Sequence, residues 1–190
     1  MNKKYKYILI DGMEYTGKTS VTSKLALMLN AFNVYEPGSS PDLRNCIKKD
    51  AHRPALEQLL LFMADRVAVH KDIRGFLKSA DVIGDRGFPS TLVYQGIIGK
   101  QMQTVIALHN LYAKELIYPD HIFILDVDLV TALRRAKARV NADAMDKRWM
   151  SQFAQVRNAY KKVAEKLNAK VIDTSKLTVD EVIQEIVKDI

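Results

Sequence analysis

Short apolar runs alternate along this chain with segments whose apolar residues recur at helical spacing. Tyr5–Asp11 is the first run; Ile8, Leu9 and Ile10 lead into a glycine turn, which predicts a buried strand. The next segment sets Val21, Leu25, Met28, Leu29 and Phe32 on one helical stripe. Asn33–Glu36 reads as a second strand, stopped by Pro37-Gly38. Pro54 opens a long helix with Leu56, Leu60, Met63 and Val67 predicted on its core face. Asp81–Asp85, His121–Asp128 and Lys170–Asp173 are the third, fourth and fifth strands. A last helix turns Val179, Val182, Ile183, Ile186 and Ile190 toward the core.

Strands alternating with helices imply a parallel sheet covered on both faces, a three-layer α/β/α fold with five strands. Ligands of such sheets bind beyond the carboxyl ends of the strands. The 190 residues contain no internal repeat, low-complexity tract or Gly/Ser linker, so one domain over 1–190 is expected. Only Ile8–Ile10 follows the basic N-terminus as an apolar run, too short for a signal peptide or a membrane span. Cys46 is the sole cysteine and no Cys/His cluster has metal-ligand spacing, so a reducing, cytoplasmic setting is expected. The net charge of +7 suits either nucleic acid or an anionic small substrate. Zinc-finger spacing, a basic zipper region and an RNA-binding aromatic signature are all missing, which favours phosphate-binding side chains over nucleic acid.

Gly12-Met13-Glu14-Tyr15-Thr16-Gly17-Lys18-Thr19 fits the P-loop pattern G-x-x-x-x-G-K-S/T. Gly12 and Gly17 permit the backbone angles that wrap a loop around phosphates with its N–H groups inward. The following helix adds its positive N-terminal dipole. Lys18 is placed for the β and γ phosphates and Thr19 for Mg2+. The pattern follows a predicted strand and opens a predicted helix, which is the context it requires.

A kinase, unlike an ATPase or a switch, needs a second site for its acceptor. Phe62, Arg66 and His70 recur at four-residue spacing on one helix face, where an aromatic and an arginine can take a base. The alternative is a core phenylalanine beside a solvated charge. Asp85-Arg86 ends the third strand; Arg86 suits an acceptor phosphate and Asp85 suits Mg2+ or its water shell. From Arg134 to Arg148 lie six basic residues, readable as a solvated helix face or as a lid over the transferring phosphoryl group, about 139–148.

Together these segments resemble the thymidylate kinases. The resemblance rests on Ile8–Glu14, Glu36-Pro37-Gly38 and Leu61-Phe62-Met63-Ala64-Asp65-Arg66. It continues in Asp85-Arg86 with Ser90 and Val93-Tyr94-Gln95-Gly96, in Pro119-Asp120 with Leu125–Asp128, and in Phe153, Arg157 and Tyr160. The D-R…Y-Q-G block is the most specific of these. The resemblance implies transfer of the γ-phosphate of ATP to dTMP, with Mg2+ as cofactor and a homodimer as assembly.

It also implies roles. ATP would meet Gly12, Glu14, Tyr15, Thr16, Gly17, Lys18, Thr19 and Ser20, with Arg135 from the lid side. For dTMP, Phe62 would stack on thymine, Arg66 would bond its edge, and Ser90 and Gln95 would lie nearby. Tyr94 would pack near the deoxyribose, Glu14 would take the 3′-hydroxyl or position the acceptor, and Glu36 would belong to the same site. Arg86 and Arg44 would hold the acceptor phosphate. Lys18, Arg86 and Arg139 would be the principal catalytic cations, with Thr19 and Asp85 toward Mg2+. The chain departs from the family pattern at Tyr35, usually arginine, at Gly87, and at Ala144, where the lid lacks an arginine. Relaxed deoxynucleoside monophosphate kinases and deoxynucleoside kinases are the nearest alternatives. A P-loop ATPase or switch using Asp126 or Asp128 for metal is the alternative of another class.

Overall fold

The computed structural model describes residues 4–49, 52–138 and 144–190, with the backbone alone for 144–147. One parallel sheet contains β1 (Tyr7–Gly12), β2 (Phe32–Tyr35), β3 (Val82–Asp85), β4 (His121–Asp126) and β5 (Lys170–Asp173). Their order is β2-β3-β1-β4-β5, so β1 is central, with Ile8 paired to Ile83 on one side and His121 on the other. The order reverses around β1, and this places the ligand crevice at the carboxyl ends beside Gly12 and Asp85.

The helices are α1 (Lys18–Leu29), α2 (Pro41–Lys49), α3 (Ala55–Phe76), α4 (Phe88–Thr91), α5 (Met102–Leu111), α6 (Leu129–Ala138), α7 (Ala144–Ser151), α8 (Phe153–Leu167) and α9 (Val179–Val187). A π-helical stretch, Leu92–Ile98, continues α4. Alternate residues of β1 serve the two faces, as the strand period requires. Ile8 and Ile10 join Val21 and Leu25 of α1 and Ile183 and Ile186 of α9. Tyr7 and Leu9 face the other way, onto Val69 and Ile73 of α3. On that side Ile124 meets Val156 and Val163 of α8. Thr178 and Glu181 exchange hydrogen bonds at the start of α9, a reciprocal cap that fixes its entry. The result is the three-layer P-loop fold, with helices on both faces of the sheet.

Three expectations are corrected. The core face of α3 is Leu59, Met63, Val69 and Ile73, while Leu56 and Leu60 are 46% and 51% exposed. The polar Asp65, Arg66 and His70 are buried on this helix, so counting apolar residues misplaces its inner face. Phe32 leaves the α1 stripe and lies in β2, stacked on Phe76 at 4.0 Å, and Met28 is exposed. The fourth strand stops at Asp126, because the Asp128 carboxylate accepts the Thr131 N–H and caps α6.

Candidate active site

A cavity of about 720 Å³ opens at the carboxyl ends of the strands. One wall is the P-loop. Gly12 has φ 144° and a side chain there would meet the Leu125 carbonyl oxygen at 2.3 Å, so glycine is required. Gly17 (φ 91°) sits in the left-handed region and releases the chain into α1. Lys18 is buried, and its Nζ donates to the Met13 carbonyl and, at 3.4 Å, to the Thr16 hydroxyl. Burial, reinforced by the charge of Arg86, brings its pKa down to about 8. The Thr19 hydroxyl donates to Asp85 Oδ2 at 2.7 Å.

Behind the loop, the buried Asp11 joins three elements. It accepts from the Gly12 N–H (2.7 Å), the Gly87 N–H (3.1 Å), the Ser90 N–H and hydroxyl (2.9 and 2.7 Å) and the Tyr160 hydroxyl (3.1 Å). This holds Arg86 in a left-handed conformation, φ 71°, which costs a non-glycine residue roughly 1–2 kcal/mol. Arg86 then donates to Glu14 Oε1 at 2.7 Å and to Ser90 Oγ at 3.2 Å. The other Glu14 oxygen accepts from the Tyr94 hydroxyl at 2.7 Å. Burial and the Glu14 charge hold the Tyr94 phenol well above its ordinary pKa, so Tyr94 remains a donor. For Arg86, burial acts downward, but Glu14 together with Tyr94, Tyr160 and Asp11 outweighs it, and the guanidinium stays charged.

The far end of the cavity is built by α3, the β2 exit and the π-helical stretch. Phe62 lines it beside Arg66 and Gln95. Arg66 is 1% exposed; its Nε and Nη2 reach Glu36 Oε2 at 2.9 and 2.7 Å, and Nη2 also donates to Thr91 Oγ1 at 2.9 Å. Its Nη1 has Met63 Sδ at 3.8 Å. His70 Nε2 is 3.3 Å from Glu36 Oε1, and its Nδ1 accepts the Ile117 N–H at 2.8 Å, which fixes the tautomer. Burial pushes the Glu36 carboxyl up, but Arg66 and His70 outweigh it and hold the pKa below the ordinary value. The buried Asp65 accepts from the Gly38 and Ser39 N–H groups and the Ser39 hydroxyl, pinning the turn after β2. Arg44 reaches the cavity rim, its guanidinium 4.7 Å from the Tyr35 ring centre and 2.6 Å from the Pro37 carbonyl. Tyr35, one departure from the pattern, is therefore the platform for Arg44.

At the other rim Arg135 donates to the Tyr15 carbonyl (3.0 Å) and to Thr174 Oγ1 and O (3.1 and 2.8 Å). Arg157 forms a two-pronged pair with Asp126, at 2.8 and 2.7 Å. Trp149 of α7 is buried against Tyr94, with ring centres 4.6 Å apart, and lines the cavity. Ser20 lines the cavity from the exposed side of α1. Arg139, Asp143 and the side chains of Asp146 and Lys147 lie outside the described residues.

The profile of the thymidylate kinase family matches residues 10–186. The chain belongs to the thymidylate kinase family. It is 34% identical over 184 residues to a probable thymidylate kinase of Methanocaldococcus jannaschii, covering 95% of this chain and 93% of that protein. It is 32% identical to the thymidylate kinase of Colwellia psychrerythraea, covering 92% and 86%. The crystal structure of the Ehrlichia chaffeensis thymidylate kinase superposes with a TM-score of 0.73 at 26% identity, over 97% of this chain and 98% of that one. The Candida albicans enzyme shares the fold, with a TM-score of 0.76 at 20% identity, over 97% and 90%. The chain is thus a nucleoside monophosphate kinase, a phosphotransferase using ATP.

In this member of the family the fold brings Lys18, Thr19, Asp85, Arg86, Glu14, Tyr94, Phe62, Arg66 and Gln95 around one cavity. Sequence reasoning missed Thr91 and Thr174, because small polar residues carry no pattern of their own. Asp11, Asp65, Arg157 and Tyr160 stood inside quoted motifs without a role; their partners lie in distant elements.

Proposed function

We propose that ATP and dTMP meet in this cavity and that the γ-phosphoryl group passes to the dTMP phosphate, giving ADP and dTDP. One observation carries the reading: the P-loop and the Phe62–Arg66–Gln95 pocket share the cavity, with Arg86 between them through Glu14 and Tyr94. The acceptor phosphate is already anionic near neutral pH, so alignment and charge neutralisation suffice. Lys18 faces the donor phosphates, and Arg86, with Arg44 at the rim, faces the acceptor phosphate. Phe62 stacks on thymine and Arg66 offers Nη1 to the base edge while Glu36 and Thr91 hold its other nitrogens. Arg135 closes the adenine side. From its sequence position after α6, Arg139 is the lid cation that meets the transferring group.

The donor set also fits Mg2+. Among the described residues no group of three or more His, Cys, Asp and Glu side chains gathers, and the Thr19 hydroxyl and Asp85 carboxylate adjoin the P-loop. Such a pair suits a hard cation that takes its remaining oxygens from nucleotide and water. When bound, Mg2+ neutralises charge on the β and γ phosphates. Asp126 and Asp128 are engaged by Arg157 and by the α6 cap, which argues against the switch reading that would give them the metal. The assembly proposed is a homodimer, supported by Leu56 and Leu60 exposed on α3 and Ile106 exposed on α5, which packs on α3. Among the described residues no helix is long and apolar enough to cross a membrane, and a cytoplasmic site of action is proposed.

ADP release measured with thymidine, dTMP, dCMP, dGMP, dAMP and UMP tests the acceptor. Turnover is expected with dTMP; activity on thymidine alone, or ATP hydrolysis indifferent to dTMP, overturns the reading. Arg139→Ala is expected to lower kcat much more than it raises the dTMP KM, and an unchanged kcat removes Arg139 from the chemistry.

A further inference from the structure

Two buried amides meet at the base end of the cavity. Gln95 Nε2 donates to Gln58 Oε1 at 3.3 Å. Gln95 is 2% exposed and lines the cavity; Gln58, 4% exposed, lies behind it, one helical turn from Phe62 on α3. The Gln58 Nε2 is buried with no hydrogen-bond partner among the described residues. Burying an amide donor without a partner is unfavourable, whereas an apolar side chain of similar size fills the same space without that cost. Packing alone therefore gives no reason for an amide at position 58. Its carbonyl does have a use: by taking the Gln95 NH2 group, it leaves the Gln95 carbonyl oxygen as the group presented to the cavity.

We propose that Gln58 is a positioning residue that determines base specificity, by fixing the polarity with which Gln95 meets the base. This rests on the reading that the dTMP base lies beside Phe62. An acceptor at Gln95 matches a pyrimidine whose ring N3 carries a hydrogen, as thymine does. Cytosine presents an acceptor at N3 and opposes it. A freely rotating Gln95 amide would offer NH2 or carbonyl equally and lose this discrimination.

The test uses the full-length enzyme with ATP, dTMP as substrate and dCMP as inhibitor. In Gln58→Met the dTMP KM rises about tenfold while kcat stays within about twofold. The ratio of the dCMP inhibition constant to the dTMP KM falls about tenfold, and the melting temperature does not fall, because an orphaned donor is removed. Gln58→Glu, whose carboxyl keeps an oxygen that accepts from Gln95, returns the dTMP KM to within about threefold of wild type. Equal weakening of dTMP and dCMP, an unmoved ratio, or Gln58→Glu behaving like Gln58→Met overturns the assignment. A wild-type enzyme that fails to phosphorylate dTMP overturns the acceptor reading itself; dTMP turnover with an unmoved ratio in Gln58→Met overturns only the role of Gln58.

Discussion

The two ends of the cavity are built in different ways. The donor end is one continuous segment, Gly12–Thr19, whose glycines, backbone N–H groups and following helix supply the chemistry. The acceptor end is gathered from β2, α3, α4 and the π-helical stretch, and buried side-chain pairs hold it: Glu36 with Arg66, Glu14 with Arg86, Gln58 with Gln95. A site made by backbone fails first at its glycines and lysine, and its variable positions matter only where they reach across, as Glu14 does to Arg86 and Tyr94. A site made by buried charges ties substrate recognition to folding stability, since Arg66, Arg86 and Gln95 are each held by an unexposed partner.

Lys18→Met should show the largest effect on activity and leave the acceptor end intact. A loss of kcat of about a thousandfold is expected, with dTMP binding unchanged by calorimetry, since a lost transition-state charge contact is worth several kcal/mol. Glu36→Gln should break the other end through stability. Leaving Arg66 buried beside a neutral partner costs about 3–5 kcal/mol, read as a drop in the denaturation midpoint together with a raised dTMP KM. If the midpoint holds and only the KM moves, the coupling of folding to recognition is wrong. Phe62→Ala separates recognition from stability, because Phe62 is only partly buried. Loss of a stacked ring is worth about 1–1.5 kcal/mol, so the dTMP KM should rise about tenfold while the ATP KM stays put.

The effect smallest at neutral pH is a pH dependence confined to the donor end. Burial leaves the Lys18 pKa near 8, below the ordinary 10.5. The folded protein thus holds this proton less tightly than the unfolded chain does. The charged, buried Lys18 opposes folding below about pH 8, and that opposition fades as pH rises from 8 toward the ordinary lysine value. ATP affinity moves the other way, because neutral Lys18 no longer attracts phosphate. It should weaken by up to about tenfold per pH unit above 8, and Lys18→Met should remove the dependence. Titrations of both nucleotides across pH 7–9.5 check this, with the dTMP constant expected to stay flat.

The order of strands and helices was legible in the sequence because parallel strands buried on both faces read as apolar runs, and because Pro and Gly mark their ends. The P-loop was legible in full, since all its parts are adjacent in the chain. The inner face of α3 was not: Asp65, Arg66 and His70 occupy buried positions normally apolar, and Leu56 and Leu60 stand outside. A buried arginine looks like a surface one until its carboxylate is seen, and that carboxylate, Glu36, lies thirty residues away. For the same reason Arg66 was read as facing the base and Glu36 as a separate member of the same site, when Glu36 takes two of the Arg66 nitrogens and Thr91 shares one of them.

By itself, then, the sequence determined the doubly covered sheet, the phosphate cradle and the set of residues available for an acceptor. Tertiary structure alone decided how those residues are held: Asp11 fixing the strained Arg86, Tyr35 seating Arg44, Gln58 turning Gln95. The division follows from range. Backbone conformation and hydrophobic period are local properties that a linear chain displays. The partner of a buried polar group is chosen by whichever elements the fold brings within about 3 Å of it.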